Sequence, residues 1–249
     1  MTKTYVATQS QEMIYSKMNY SLNEQKLLLT IIAQINSKSS EIEPKTITLK
    51  EMSEFYGKKV ESRDLKRTLD SLNAHFWLKV DKSYIQTSMF SEIRVEEKSS
   101  DITFVFSKRV EAHLLNFNNG LRFVQTNIKN IIPLNCKHAI RIYQLLKFSM
   151  WEAKETKKDF FIELEELKKI LMTPKSYNDF SLFNSYVLKP ALEEINAHTD
   201  INFSYEIHKT KQKVTGISFK VEVDLLKSGR INFEAKEKFK TKFKEKISI

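Results

Sequence analysis

Three observations predict an α+β fold made of two similar halves, each a helix-turn-helix closed by a β-hairpin. First, short segments recur in the same order along the 249 residues. LNEQK at 22–26 faces LNCKH at 134–138, TLKEM at 48–52 faces ELEEL at 163–167, and LKRTLDSLNAH at 65–75 faces LKPALEEINAH at 188–198. Self-similarity of this kind marks a duplicated unit, even where loop insertions let the spacing drift. Second, each copy carries the same order of apolar periodicities. Third, the second copy ends in two cleanly alternating runs joined by a lysine-bearing turn, and the whole chain has a formal charge of +10.

In the first copy, Ser21 and Glu24 have the spacing of a capping box, which opens a helix with Leu27, Leu28, Ile31, Ile32 and Ile35 on one face. A short strand is expected around Lys45–Ile47. Thr48 and Glu51 form a second box, opening a short helix that buries Leu49, Met52 and Phe55 and that Gly57 ends. A third helix starts near Ser62 and buries Leu65, Leu69, Leu72 and Phe76. Extended segments follow at 77–80, 83–95 and 101–107.

The second copy repeats this order. Asn135 is expected to cap a helix with Ala139, Ile140, Tyr143 and Leu146 inward. Residues 160–162 read as a strand, Leu164, Leu167, Ile170 and Leu171 as the second helix, and Pro174 fits the turn after it. The third helix buries Phe180, Phe183, Val187, Leu192 and Ile195. Pro190 interrupts it: a proline removes one donor and clashes with the preceding turn, so either the helix kinks there or a new helix begins. Ile201, Phe203, Tyr205 and Ile207 alternate in one strand, and Ile217, Phe219, Val221 and Val223 in the next, with Gly216 helping the chain turn between them. Helix–strand–helix–helix–hairpin is the order of a winged helix, whose third helix enters the major groove while the hairpin rests on the backbone. The expected organisation is therefore two tandem winged-helix domains related by internal duplication, residues 1–125 and 126–226, followed by a basic tail at 227–249. In that tail Phe239, Phe243 and Ile247 recur every four residues among lysines. This fits either an amphipathic helix or a disordered basic segment.

Composition narrows the function. A basic chain favours a polyanionic partner, because neutralising phosphates releases their condensed counterions. A single cysteine, Cys136, excludes a disulfide within the chain, and Cys136 beside a helix start is expected to pack rather than react. The five histidines lack zinc-site spacing, so no metal or other cofactor is expected. No phosphate-binding glycine loop is present, and the tyrosines lack a neighbouring histidine cluster of the kind a DNA-nicking enzyme uses. The chain is thus expected not to be an enzyme. With no signal peptide and no long apolar run, it is expected in the cytoplasm, with no membrane partner.

Candidate contact residues follow from the fold. The third helix of the first copy offers Arg63, Lys66 and Arg67; arginine forks to guanine, and lysine reaches guanine or phosphate. The corresponding face of the second copy offers Asn178, Ser181, Asn184, Ser185 and Lys189, in which Asn pairs with adenine and Ser with several bases. Lys79 and Lys82, and Lys209, Lys211 and Lys213, lie at hairpins, where backbone contact would position without specifying sequence. The alternatives stay open for each set: solvated helix faces in the first case, charged turns that keep a sheet edge soluble in the second.

Three stretches resemble the initiator Rep proteins of theta-replicating, iteron-bearing plasmids: SLNEQKLLLTIIAQI at 21–35, IPLNCKHAIRIYQLLK at 132–147, and the run from 180 to 221 with L-x-P-A-x-x-E-I-N before its hairpin. Pro190 fits that pattern. The resemblance implies a protein that binds repeated origin duplex (iterons), helps melt adjacent DNA, and recruits host factors including the replicative helicase and the host initiator protein. It also implies a homodimer in equilibrium with monomer, the dimer repressing its own gene through an inverted repeat. It puts most base readout in the second winged helix, adds Arg141 on the neighbouring helix to the DNA-binding set, and gives the first domain the dimer surface and backbone contacts. A winged-helix transcriptional regulator without initiator activity is the alternative.

Overall fold

A computed structural model describes residues 5–56, 60, 62–96, 101–115, 122–150, 156–224 and 227, with the side chains of 54–56 and 62–64 excepted. The chain opens with β1 (Val6–Ser10) and α1 (Gln11–Tyr15), whose N-cap Ser10 accepts a hydrogen bond from the Met13 amide. Neither was expected, since each is too short to show a period. Next comes α2 (Leu22–Ile32), opened by the expected box: the Glu24 amide donates to Ser21 Oγ, and the Ser21 amide donates to the Glu24 carboxylate at 2.7 Å. The second box, between β2 (Lys45–Thr48) and α3 (Leu49–Tyr56), is also formed, with the Thr48 amide 2.8 Å from Glu51 Oε2. Gly57, expected to end α3, lies outside the described residues. Helix α4 (Ser62–Leu72) buries Leu65, Leu69 and Leu72.

The strands of the first copy pair differently from expectation. β3 (Phe76–Val80) and β4 (Ser83–Thr87) form their own two-stranded hairpin. The winged-helix sheet instead has the order β2–β6–β5, using β5 (Phe90–Val95) and β6 (Asp101–Phe106). The hairpin carrying Lys79 and Lys82 is therefore an insertion between the third helix and the sheet. After α5 (Lys108–Glu111), β7 (Phe123–Asn127) pairs antiparallel with β1, Val6 opposite Asn127. The expected division at 125/126 falls inside β7, a strand tied to the N-terminus.

The second copy follows the simpler plan. Its elements are α6 (Lys137–Ser149), β8 (Lys157–Glu163), α7 (Leu164–Leu171), a reading helix made of α8 (Phe180–Phe183), a π turn (Asn184–Leu188) and α9 (Lys189–His198), then β9 (Ile201–Thr210) and β10 (Lys213–Val223). The sheet order β8–β10–β9 is antiparallel throughout. Phe203, Ile217, Phe219, Val221 and Val223 face the core as their alternation requires. Gly216 sits in β10 at a bulge rather than at the turn, which is Lys211–Gln212; a Cβ at 216 would collide with the ring of Phe161. That ring covers the glycine from the outer face of the sheet.

Two further expectations change at α6. Its N-terminal amides are not capped by Asn135. Glu194 on α9 reaches across, its Oε2 accepting from the Asn135 and Cys136 amides at 2.8 and 2.9 Å. A carboxylate there satisfies orphan donors and faces the positive end of the helix dipole. Helix α6 is also buried on nearly every side from His138 to Leu146, because it lies between the two domains. Side-chain hydrogen bonds cross the seam: Gln144 Nε2 donates to Gln9 Oε1 at 2.7 Å, Gln25 Nε2 to the Lys137 carbonyl at 3.1 Å, and Lys26 Nζ to the Ile132 carbonyl at 2.6 Å. Apolar residues from both domains join in one continuous core.

Candidate nucleic-acid interface

The turn of the second helix-turn-helix is locally determined. Helix α7 ends at Met172 in the left-handed region (φ 49), and the Thr173 amide returns to the Lys168 carbonyl. Pro174 stops the helix, and a single 3₁₀ turn, Lys175–Asn178, leads to Asp179, whose carboxylate accepts from the Ser181 amide at 2.8 Å. Lys168 is buried, its Nζ 3.3 Å from the Asn178 carbonyl and over the Phe183 ring. That residue fixes the second helix against the start of the third.

Pro190 neither breaks nor ends the reading helix. The Lys189 amide donates five residues back to the Asn184 carbonyl, so the chain makes one π turn just before the proline. An α-helical turn would set the Tyr186 carbonyl against the proline ring and leave it without a donor. The wider turn displaces the carbonyls that precede the proline, and Pro190 falls in the first turn of α9. The rest of the L-x-P-A-x-x-E-I-N run has physical roles too. Ala191 and Ile195 are fully buried, and Glu194 caps α6. Asn196 clamps the first wing strand, donating to the Phe203 carbonyl at 2.9 Å and accepting from the Phe203 amide at 2.8 Å. Lys227 Nζ donates to the carbonyls of Asn196 and Ala197, closing the helix end.

This frame presents Ser181, Ser185 and Lys189 to solvent on one side of the helix, and leaves Asn178 exposed at the end of the turn before it. Asn184 is half-buried, and its Oδ1 accepts from the Tyr205 hydroxyl at 2.6 Å, so it also ties the helix to β9. Lys209, Lys211 and Lys213 are exposed around the two-residue turn. Lys211 holds φ 56, as the first residue of a tight hairpin turn of the primed kind must. Sequence reasoning missed Leu182 and Tyr186, which are exposed beside the serines. The available signal was their phase: they fall out of register with Phe183 and Val187, the buried face of the same helix.

In the first copy, Lys66 and Arg67 are exposed on α4, while the side chain of Arg63 lies outside the described residues. Lys79 is half-buried on the inserted hairpin, its Nζ 4.7 Å from the centre of the Tyr84 ring, against which Lys17 also lies at 3.8 Å. It is therefore not on the wing of the first domain.

Arg141 must be removed from the DNA-binding set. It is 6% exposed, and its Nη2 donates to the carbonyls of Ile14 and Ser16 at 2.7 and 2.8 Å. These carbonyls close the end of α1, so the guanidinium caps one domain from within a helix of the other. Burial pulls its pKa down to about 10, which leaves it charged at neutral pH.

Fold and site together define a tandem winged-helix protein whose second domain carries a lysine-bearing wing and a third helix with an exposed face of serines, a lysine, Leu182 and Tyr186. Comparison with known proteins is consistent along the chain. The family model described as Initiator Replication protein, WH1 matches residues 6–147, and Initiator Rep protein, WH2 matches residues 163–221. The chain belongs to the initiator Rep family. A replication initiation protein of Escherichia coli is 27% identical over 126 residues, which is 51% of this chain and 38% of that relative. Among solved structures, the Pi initiator protein in complex with iteron DNA superposes with a TM-score of 0.72 at 19% identity, over 90% of this chain and 99% of that one. Among the described residues, no helix is long and apolar enough to cross a membrane.

Proposed function

We propose that the chain is a plasmid replication initiator that binds repeated origin duplexes, placing α8–α9 in the major groove and the β9–β10 turn along the backbone. The observation that carries this reading is the pairing of an exposed polar helix face with three exposed wing lysines, held in one frame by the Tyr205–Asn184 hydrogen bond. The lysines position and the helix face specifies. Membership of the initiator Rep family supports the further steps: opening of adjacent DNA, recruitment of the host helicase and host initiator protein, and repression of its own gene by a dimer in equilibrium with monomer. The proposed activity involves no covalent chemistry, cofactor or metal.

Two measurements test it. Affinity for a duplex selected from a random pool should fall steeply between about 50 and 200 mM salt, as several phosphate contacts require. A replicon stripped of its initiator should replicate when supplied with this gene and the DNA that flanks it. Binding without replication would favour the transcriptional regulator. Nicking of a supercoiled origin in magnesium would instead make the chain an enzyme.

A further inference from the structure

Resting on the proposal that α8–α9 occupies the major groove, we infer that Leu182 and Tyr186 read the C5-methyl groups of thymines there. Both are exposed, Leu182 by 39% and Tyr186 by 58%, on a helix whose buried face is already filled by Phe183 and Val187. A large apolar side chain in water on the reading face has no folding role that the helix phase explains. Tyr186 is nevertheless held in place, because its ring stacks parallel to Tyr177 in the turn before the helix, with centroids 5.9 Å apart and planes within 6°. An aromatic ring fixed before binding loses little freedom on contact.

The neighbours favour a base edge over a protein partner. Ser181 and Ser185 flank the pair and are short, which lets the helix approach a groove floor closely. Lys189 follows on the same side, and the wing lysines lie beyond. An apolar pair set among small hydroxyls and cations matches the major-groove edge of an A·T pair. There a methyl group sits beside an acceptor, with phosphates on either side.

The test begins with the unaltered protein and changes the DNA first. A duplex is first selected from a random pool by the full chain. Each thymine is then replaced singly by deoxyuridine, which removes only the methyl group and keeps every hydrogen-bonding edge. One or two adjacent positions should each weaken binding about fourfold, the size expected for one methyl group leaving an apolar contact. At those positions the penalty should vanish in Leu182→Ala or Tyr186→Ala, and persist in Tyr186→Phe. Uracil tolerated at every position, or penalties unchanged in both alanine variants, would overturn the inference. If the pool yields no preferred sequence, it is the DNA-binding proposal itself that fails.

Discussion

Replacing Arg141 by methionine tests whether this residue is a latch between domains rather than a DNA contact. Methionine keeps most of the stem volume and removes every donor. The Ile14 and Ser16 carbonyls, in residues with no exposed surface, would lose their partners at 2.7 and 2.8 Å. Each buried acceptor left unsatisfied costs about 1–3 kcal/mol, giving a gross loss of about 2–6 kcal/mol. Part of that returns, because a guanidinium no longer has to be stripped of water. A net destabilisation of about 3 kcal/mol remains, which lowers Tm by roughly 6–12 °C in a chain of this length. Thermal unfolding followed by circular dichroism measures the drop. Limited proteolysis should show cleavage between the domains in Arg141→Met and not in the parent. Arg141→Lys should fall between the two, since an ammonium keeps the charge without the fork. An unchanged Tm together with lost affinity for DNA would refute the reasoning and return Arg141 to the binding face.

Four further outcomes are expected. Glu194→Ala should cost about 1–2 kcal/mol in thermal melts by uncapping α6, with Glu194→Gln recovering part of it; no difference from the parent would leave the α6 amides to water. Burial, helped by the charge of neighbouring Lys137, lowers the His138 pKa from 6.5 to about 4. The neutral ring is favoured by folding, so its contribution is complete above pH 6.5 and is lost as pH falls toward 4, on the order of 3 kcal/mol. Urea midpoints from pH 7.5 to 4.5 should follow that fall, and His138→Gln should flatten it. Lys211→Ala and Lys211→Gly should each flatten the salt slope of DNA binding by about one, with the glycine form more stable because of φ 56; an unchanged slope would remove the turn from the phosphate contacts. Asn184→Ala and Tyr205→Phe should weaken selected and random duplexes alike if the pair only fixes helix to wing. Loss of discrimination in Asn184→Ala alone would make Asn184 a base reader as well.

What could be read from the sequence was what is encoded locally. Both capping boxes lie within four residues of chain, and both form. The wing strands of the second domain alternate, and Ile201, Phe203, Ile217, Phe219, Val221 and Val223 pack inward, while Ile207, expected on the same face, is exposed where β9 runs out beyond the core. The misreadings share a cause: partners far apart in sequence. β1 pairs with β7 across more than a hundred residues, which no periodicity announces. Glu194 caps a helix that begins nearly sixty residues earlier, so the adjacent Asn135 looked sufficient. The resemblance puts Arg141 in the DNA-binding set, but its guanidinium is buried against the Ile14 and Ser16 carbonyls, more than a hundred residues away in sequence. Arg141 and Gln144 on α6 are one turn apart and point into the same seam, a spacing visible in the sequence. In the third helix of the second copy, the polar residues are the obvious candidates for base contact, and the exposed pair of Leu182 and Tyr186 belongs to neither the expected core nor the expected contact set.

The most direct test of the central claim is cleavage from a tethered iron chelate. Cys136→Ser provides the background, and single cysteines are placed at Ser185, on the reading helix, and at Lys157, on the outer face of the β8–β10–β9 sheet. A duplex selected by the protein should be cut within one major-groove segment by the Ser185→Cys conjugate and left intact by the Lys157→Cys conjugate. Cuts from position 157 with none from 185 would show that the second domain meets DNA by another face.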